Sequence, residues 1–155
     1  MCSSDLLAWF GPDMAARTFI TARLMETWAH GQDVYDLLRV PRVYNDNLRS
    51  IAFLGVKTFS FTFENRGLKP PTTAPFVSLT APSGAIWDYN TPSDAERIEG
   101  LASDFCHVVT QNRNVADTQL KVTDEIAQSW MRVAQCFAGR PEDPPAPGQR
   151  VGRID

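Results

Sequence analysis

A helix that is apolar around most of its circumference belongs in the interior of a helical bundle, because no single neighbouring layer can cover it. Residues 12–38 read as such a helix. Pro12 suits a first helical position, Asp13 suits a first turn, and Pro41 stops the run. No glycine interrupts it before Gly31. At ~100° per residue, Phe19, His30 and Leu37 fall within about 40° of Glu26, with Asp33 about 20° to the other side. Ile20, Leu24 and Leu38 form one apolar flank, and Ala15, Ala22 and Ala29 form the other. The wet sector is narrow and holds Thr18, Thr21, Gln32 and Asp36. Such a helix cannot bury its own surface. It is expected to need helices that this chain does not supply: either it packs on the rest of the chain or on a partner chain, or the chain is the C-terminal part of a longer protein, which is the favoured reading.

The remainder reads as a small α+β unit. A helix is expected over about 46–66, with the stripe Leu48, Ile51, Ala52, Val56, Phe59 and Phe63. Asn45 or Asp46 would cap it, and Gly67 followed by Pro70 and Pro71 would end it. Residues 76–80 and 85–89 alternate around Pro82-Ser83-Gly84, a hairpin signature. Residues 96–99 suit a short strand, about 100–111 a helix, 118–122 a strand, and about 124–138 a last helix capped by Thr123 or Asp124. The segment 141–155 holds four of the eleven prolines and little that is apolar, and is expected to be a disordered tail. The domain reading is 1–44 for the bundle helix, 45–140 for the α+β unit and 141–155 for the tail.

Composition narrows the function. Of 155 residues, 43% are hydrophobic, enough for a packed core. A net charge of −3 offers no basic excess for a phosphate backbone, so no nucleic-acid partner is expected. No apolar run approaches the ~18 residues of a membrane span, and no signal peptide is visible. Cys2, Cys106 and Cys136 are widely spaced with no C-x-x-C, which suits reduced thiols in a cytoplasmic protein. His30 and His107 are the two histidines, too few for a multi-histidine metal site from this chain alone.

The constellation with chemical content is Glu26-x-x-x-His30, followed by Asp33. An i, i+4 pair projects from one helical face, close enough for a carboxylate and an imidazole to reach one ion. Those donors suit zinc, iron, nickel or manganese. Asp33 would accept a proton from the other ring nitrogen of His30, or else cap or pair with Arg39. The competing reading is a helix-stabilising Glu–His pair of ~0.5 kcal/mol, or an ion pair between Glu26 and Arg23. His107 stands beside Cys106, but adjacent helical residues point ~100° apart, so the two form no catalytic dyad and His107 reads as structural. Arg113 and Asn114, in a polar loop after the helix of His107, and Arg97, which precedes that helix, could contact an anion, with solvated charge as the default. Trp87 and Tyr89 share a strand face and read as core. No dinucleotide, P-loop or nucleophile-elbow motif is present.

The segment from Thr21 to Val34, TARLMETWAHGQDV, resembles the last bundle helix of the mycothiol-dependent maleylpyruvate isomerase family, within the DinB-like metal-binding proteins. The resemblance continues through RSIAFLGVK at 49–57, LTAPSG at 79–84, DFCHVVTQ at 104–111 and AQCFAG at 134–139, and is strongest to an uncharacterised actinobacterial subgroup. It implies a DinB-like four-helix bundle that contributes one long helix here, followed by an α+β domain with a hairpin. It implies a divalent metal, zinc first, held by Glu26 and His30 with a further histidine on an earlier helix that this chain lacks. It also implies mycothiol or a similar small thiol as cofactor, bound as thiolate and adding to an electrophilic substrate. The expected function is therefore the C-terminal part of a thiol-dependent isomerase or transferase-like metalloprotein, incomplete as a catalyst. Asp33 would stand behind His30, and Arg113 would be an anion contact from the α+β domain. The alternative is a non-enzymatic binding or dimerisation module, a homodimer with Glu26 and His30 as a structural pair.

Overall fold

The architecture is a mixed four-stranded sheet with helices on one face and one long helix laid across them. The computed structural model describes residues 6–7 and 14–150, with side chains from residue 18 onward. Strands β1 (Leu6–Leu7) and β2 (Met14–Ala15) pair antiparallel and lead into α1 (Ala16–Leu38). Then follow α2 (Leu48–Lys57), α3 (Phe59–Glu64), β3 (Phe76–Thr80), β4 (Ile86–Tyr89), β5 (Arg97–Leu101), α4 (Ala102–Val109), β6 (Lys121–Thr123) and α5 (Glu125–Val133). The sheet order is β4-β3-β5-β6, antiparallel except for the central β3–β5 pair. The α+β expectation holds, and so does the hairpin. Gly84 at its tip has φ of +87°, which costs glycine nothing.

The expected helix over 46–66 is instead two helices meeting at Thr58. Its hydroxyl bonds back to the carbonyls of Leu54 and Gly55 (both 3.0 Å), a contact that bends helices. Asp46 does not cap α2. Its carboxylate accepts from the backbone N–H (3.1 Å) and hydroxyl (2.7 Å) of Ser83 and so tethers the hairpin tip. The N-terminus of α5 is likewise capped from a distance. Glu96 accepts from the N–H groups of Ile126 (3.1 Å) and Ala127 (2.7 Å), while Asp124 makes no side-chain cap. Helix α5 also ends a turn earlier than expected. Buried Gln135 takes over there, donating to the carbonyls of Phe137 and Arg140 and accepting from the N–H of Glu142.

The core lies between the sheet and α2, α4 and α5. Val77, Leu79, Trp87 and Ile98 come from the strands, and Ile51, Phe105, Trp130 and Met131 from the helices. Trp130 takes Phe59 and Phe105 edge-on. Gly55 lets α2 and α4 approach, since a Cβ there would sit 2.8 Å from a methyl of Val109. The segment 141–150, expected to belong to a disordered tail, runs along the domain. Asn114 donates to the carbonyl of Pro145, Asp117 accepts from the N–H of Gly148, and Arg66 pairs with Asp143. Residues 151–155 of the expected tail, like Cys2, Pro12 and Asp13, lie outside the described residues.

Candidate functional site

Helix α1 docks on the α+β domain through its narrow polar sector, and this decides which residues face outward. Gln32, expected to be wet, is buried. Asp36 beside it accepts both guanidinium arms of Arg113, at 2.5 and 2.8 Å. Asn112 donates to the carbonyl of Ala29, and Arg42 donates to that of Trp28. Met25 is the fully buried apolar contact, and Trp28 packs against the core from the same side. The opposite sectors stay open. Ile20, Val34, Leu37 and Leu38 are 67, 56, 82 and 63% exposed, far above what an apolar side chain shows in a covered interior.

Glu26 and His30 sit on that outward side. Arg23 donates to Glu26 at 2.6 Å, the ion pair that competes with a ligand role. The His30 side chain is 84% exposed, with Nδ1 3.8 Å from an oxygen of Asp33. Asp33 is also held by an ion pair to Arg150. Among the described residues, no group of three or more His, Cys, Asp or Glu side chains could hold a metal ion. Arg113 is buried and committed to Asp36. Burial alone would raise the pKa of Asp36. Hydrogen bonds from Arg113 and Gln32, with the charges of Arg113 and Arg150, outweigh burial and hold it below the usual carboxylate range. Arg97 is tied to Glu99 at 2.6 Å on the sheet face, and Asn114 caps a short 3-10 turn, so neither joins the α1 cluster. Trp87 is core, as expected.

Beneath α1 lies an aromatic cluster that sequence reasoning did not assemble. His107 is buried, its Nε2 sits 2.7 Å from the Tyr44 hydroxyl, and its ring stacks on Trp28 at a centroid distance of 4.7 Å. Burial first, and the neighbouring Arg113 charge second, push its pKa down to about 3, so it is neutral at physiological pH. His107 is thus structural, as read from the sequence. Arg42 lies over Trp28 and Tyr35, with its guanidinium carbon 4.9 and 5.1 Å from the ring centroids. Beside it a cleft of about 240 Å³ opens between α1, the connection 42–47 and α2, lined by Thr27, Trp28, Arg42, Tyr44, Asn47 and Leu48 among others. The sequence signal was an arginine and a tyrosine in the short stretch after Pro41, which by itself is unspecific. Among the described residues the thiols offer no second centre, because Cys106 and Cys136 are free but buried, and burial raises both pKa values.

Comparison with known proteins bears on the same helix. Residues 3–35 match the family model described as the mycothiol maleylpyruvate isomerase N-terminal domain. The matched stretch takes in α1 as far as Tyr35. Two Mycobacterium tuberculosis proteins, from strains CDC 1551 / Oshkosh and ATCC 25618 / H37Rv, are each 48% identical over 135 residues. Both are described as uncharacterized. The match covers 87% of this chain and 52% of theirs, so the chain spans about half the length of the curated relatives it matches. No solved structure matches it. Among the described residues, no helix is long and apolar enough to cross a membrane.

Proposed function

We propose that this chain is the C-terminal part of a thiol-dependent isomerase or transferase-like metalloprotein, and that Glu26 and His30 are two of its metal ligands. The observation that carries this reading is the outward placement of both side chains between exposed Ile20, Val34, Leu37 and Leu38. A face of that composition is built to be covered. Helices from the rest of a longer protein would complete a DinB-like bundle there. The donor chemistry fits, since a carboxylate and a neutral imidazole suit zinc. The Nδ1 edge of His30 lies 3.8 Å from Asp33, so in this reading Nε2 would face the ion and Asp33 would orient the ring. A further donor would come from outside the described residues. A divalent ion there would supply Lewis acidity and lower the pKa of a small thiol such as mycothiol. Arg23 balances the Glu26 charge in its absence.

Metal content by mass spectrometry after dialysis against micromolar zinc tests the ligand roles. Near-stoichiometric zinc in the parent and none in His30→Ala supports them, and zinc in neither refutes them for this chain. Glu26→Gln adds a second reading. Loss of metal at unchanged stability marks a ligand, whereas loss of stability at unchanged metal marks the Arg23 ion pair. That ion pair, with the open apolar face, favours the alternative of a non-enzymatic dimerisation module, for which sedimentation would show a homodimer that Leu37→Glu dissociates.

A further inference from the structure

Three arginines and two carboxylates meet where α1 crosses the domain. Asp36 is matched by Arg113, and Asp33 by Arg150, which also reaches Asp36 at 3.3 Å. Arg42 is the cation left over: among the described residues it makes no ion pair, and it is half-buried. A partly desolvated guanidinium without a counter-charge is the arrangement that a bound anion relieves. The faces of Arg42 are occupied by Trp28 and Tyr35, so a ligand must approach in the plane of the group. Nη1 is engaged by the carbonyls of Trp28 (2.8 Å) and the Gln32 side chain (3.4 Å). No hydrogen bond among the described residues uses Nε or Nη2. That remaining edge is the one that takes a carboxylate with two parallel hydrogen bonds.

The cleft beside it has matching chemistry. Among the described residues, no carboxylate lines it. Tyr44, Asn45, Asn47 and Thr27 add neutral polar groups at its wall, and Leu24, Leu48 and Ile51 supply an apolar floor. Its volume of about 240 Å³ suits a small organic molecule. We propose that the Arg42 cleft binds a small organic carboxylate with an apolar or aromatic body, the head on Arg42 and the body against Leu48 and Ile51. The assignment moves the anion contact from Arg113, which is internally neutralised, to Arg42, and it does not depend on the metal reading.

Isothermal titration of the full chain in EDTA tests it, with benzoate as the probe and benzamide as its neutral counterpart. The expected result is saturable one-to-one binding of benzoate at millimolar concentration. Benzamide should bind about tenfold or more weakly, the range in which one charge-assisted contact is lost. Arg42→Gln should weaken benzoate by a similar factor. Val43→Trp, at a 90% exposed position on the cleft wall, should block binding without touching the Arg42 contacts, and so serves if Arg42→Gln fails to fold. Arg49→Gln, on an exposed part of α2 over Trp87, should change nothing. Absence of binding, equal binding of benzamide, or unchanged binding in Arg42→Gln or Val43→Trp would overturn the proposal. Zinc binding is read separately, so His30→Ala should leave the benzoate titration unchanged.

Discussion

His107 makes a sharp prediction about acid stability. Its pKa is about 3 in the folded chain against 6.5 for a free side chain. Between those values the unfolded chain binds a proton that the folded chain does not, so stability falls as pH falls. The slope approaches ~1.4 kcal/mol per pH unit. Worked from pH ~7.5 to ~4.5, the loss from this one group is about 2.6 kcal/mol, and because ~4.5 still lies above the folded value, the two states there differ by nearly a whole proton. Urea denaturation followed by tryptophan fluorescence would measure it in the parent and in His107→Gln, whose amide keeps a partner for Tyr44 and cannot titrate. The parent should lose about 2.6 kcal/mol more than the variant over that range, or roughly 5–10 °C of Tm for a chain of this size. The low-pKa Asp36 adds its own loss only as pH falls below the ordinary carboxylate value of 3.8, outside the window. Equal pH slopes in parent and variant would refute the claim that His107 is held neutral by burial among Trp28, Tyr44 and Arg113.

Other perturbations follow from packing and caps. Gly55→Ala forces a Cβ against Val109 and Phe105, at 2.8 and 3.1 Å, and should cost about 1–3 kcal/mol by chemical denaturation, relieved in part by Val109→Ala. Glu96→Ala uncaps α5 and should cost about 1 kcal/mol, whereas Asp124→Ala, which removes no side-chain cap, should not show a capping loss. Arg113→Met leaves Asp36 with the Gln32 amide and the more distant Arg150 and should cost about 2 kcal/mol, with faster proteolysis in the 39–45 connection as α1 loosens from the domain. Asp36→Asn should cost less than Arg113→Met, because an amide can still accept from the guanidinium.

Part of this molecule was legible because its signals are local. The hairpin at 76–89 follows from alternation around Ser83-Gly84, and α1 and α4 follow from periodicity bounded by stop residues. The Glu26–His30 pair was visible because helical geometry alone puts i and i+4 on one face. Cap assignments were less secure, since a carboxylate near a helix start has several donors within reach. Asp46 went to Ser83, and α5 was capped by Glu96, nearly thirty residues upstream. Helix ends at Thr58 and Ala134 depended on side-chain bonds by Thr58 and Gln135 that no periodicity records.

The sequence alone determined that α1 carries more apolar surface than one small domain can cover, and that a carboxylate and an imidazole share its side. That much depends only on the residues and on the pitch of a helix. Which side turns outward was a tertiary decision. Arg113 and Asn112, at the end of α4, offer a charge and an amide, so the helix docks by Asp36, Gln32 and its own backbone carbonyls rather than by its leucines. The same contact leaves Arg113 neutralised and, among the described residues, Arg42 without a counter-charge beside a cleft. Charge matching across elements far apart in the chain depends on distances that only folding sets, and so does the free cation it leaves behind.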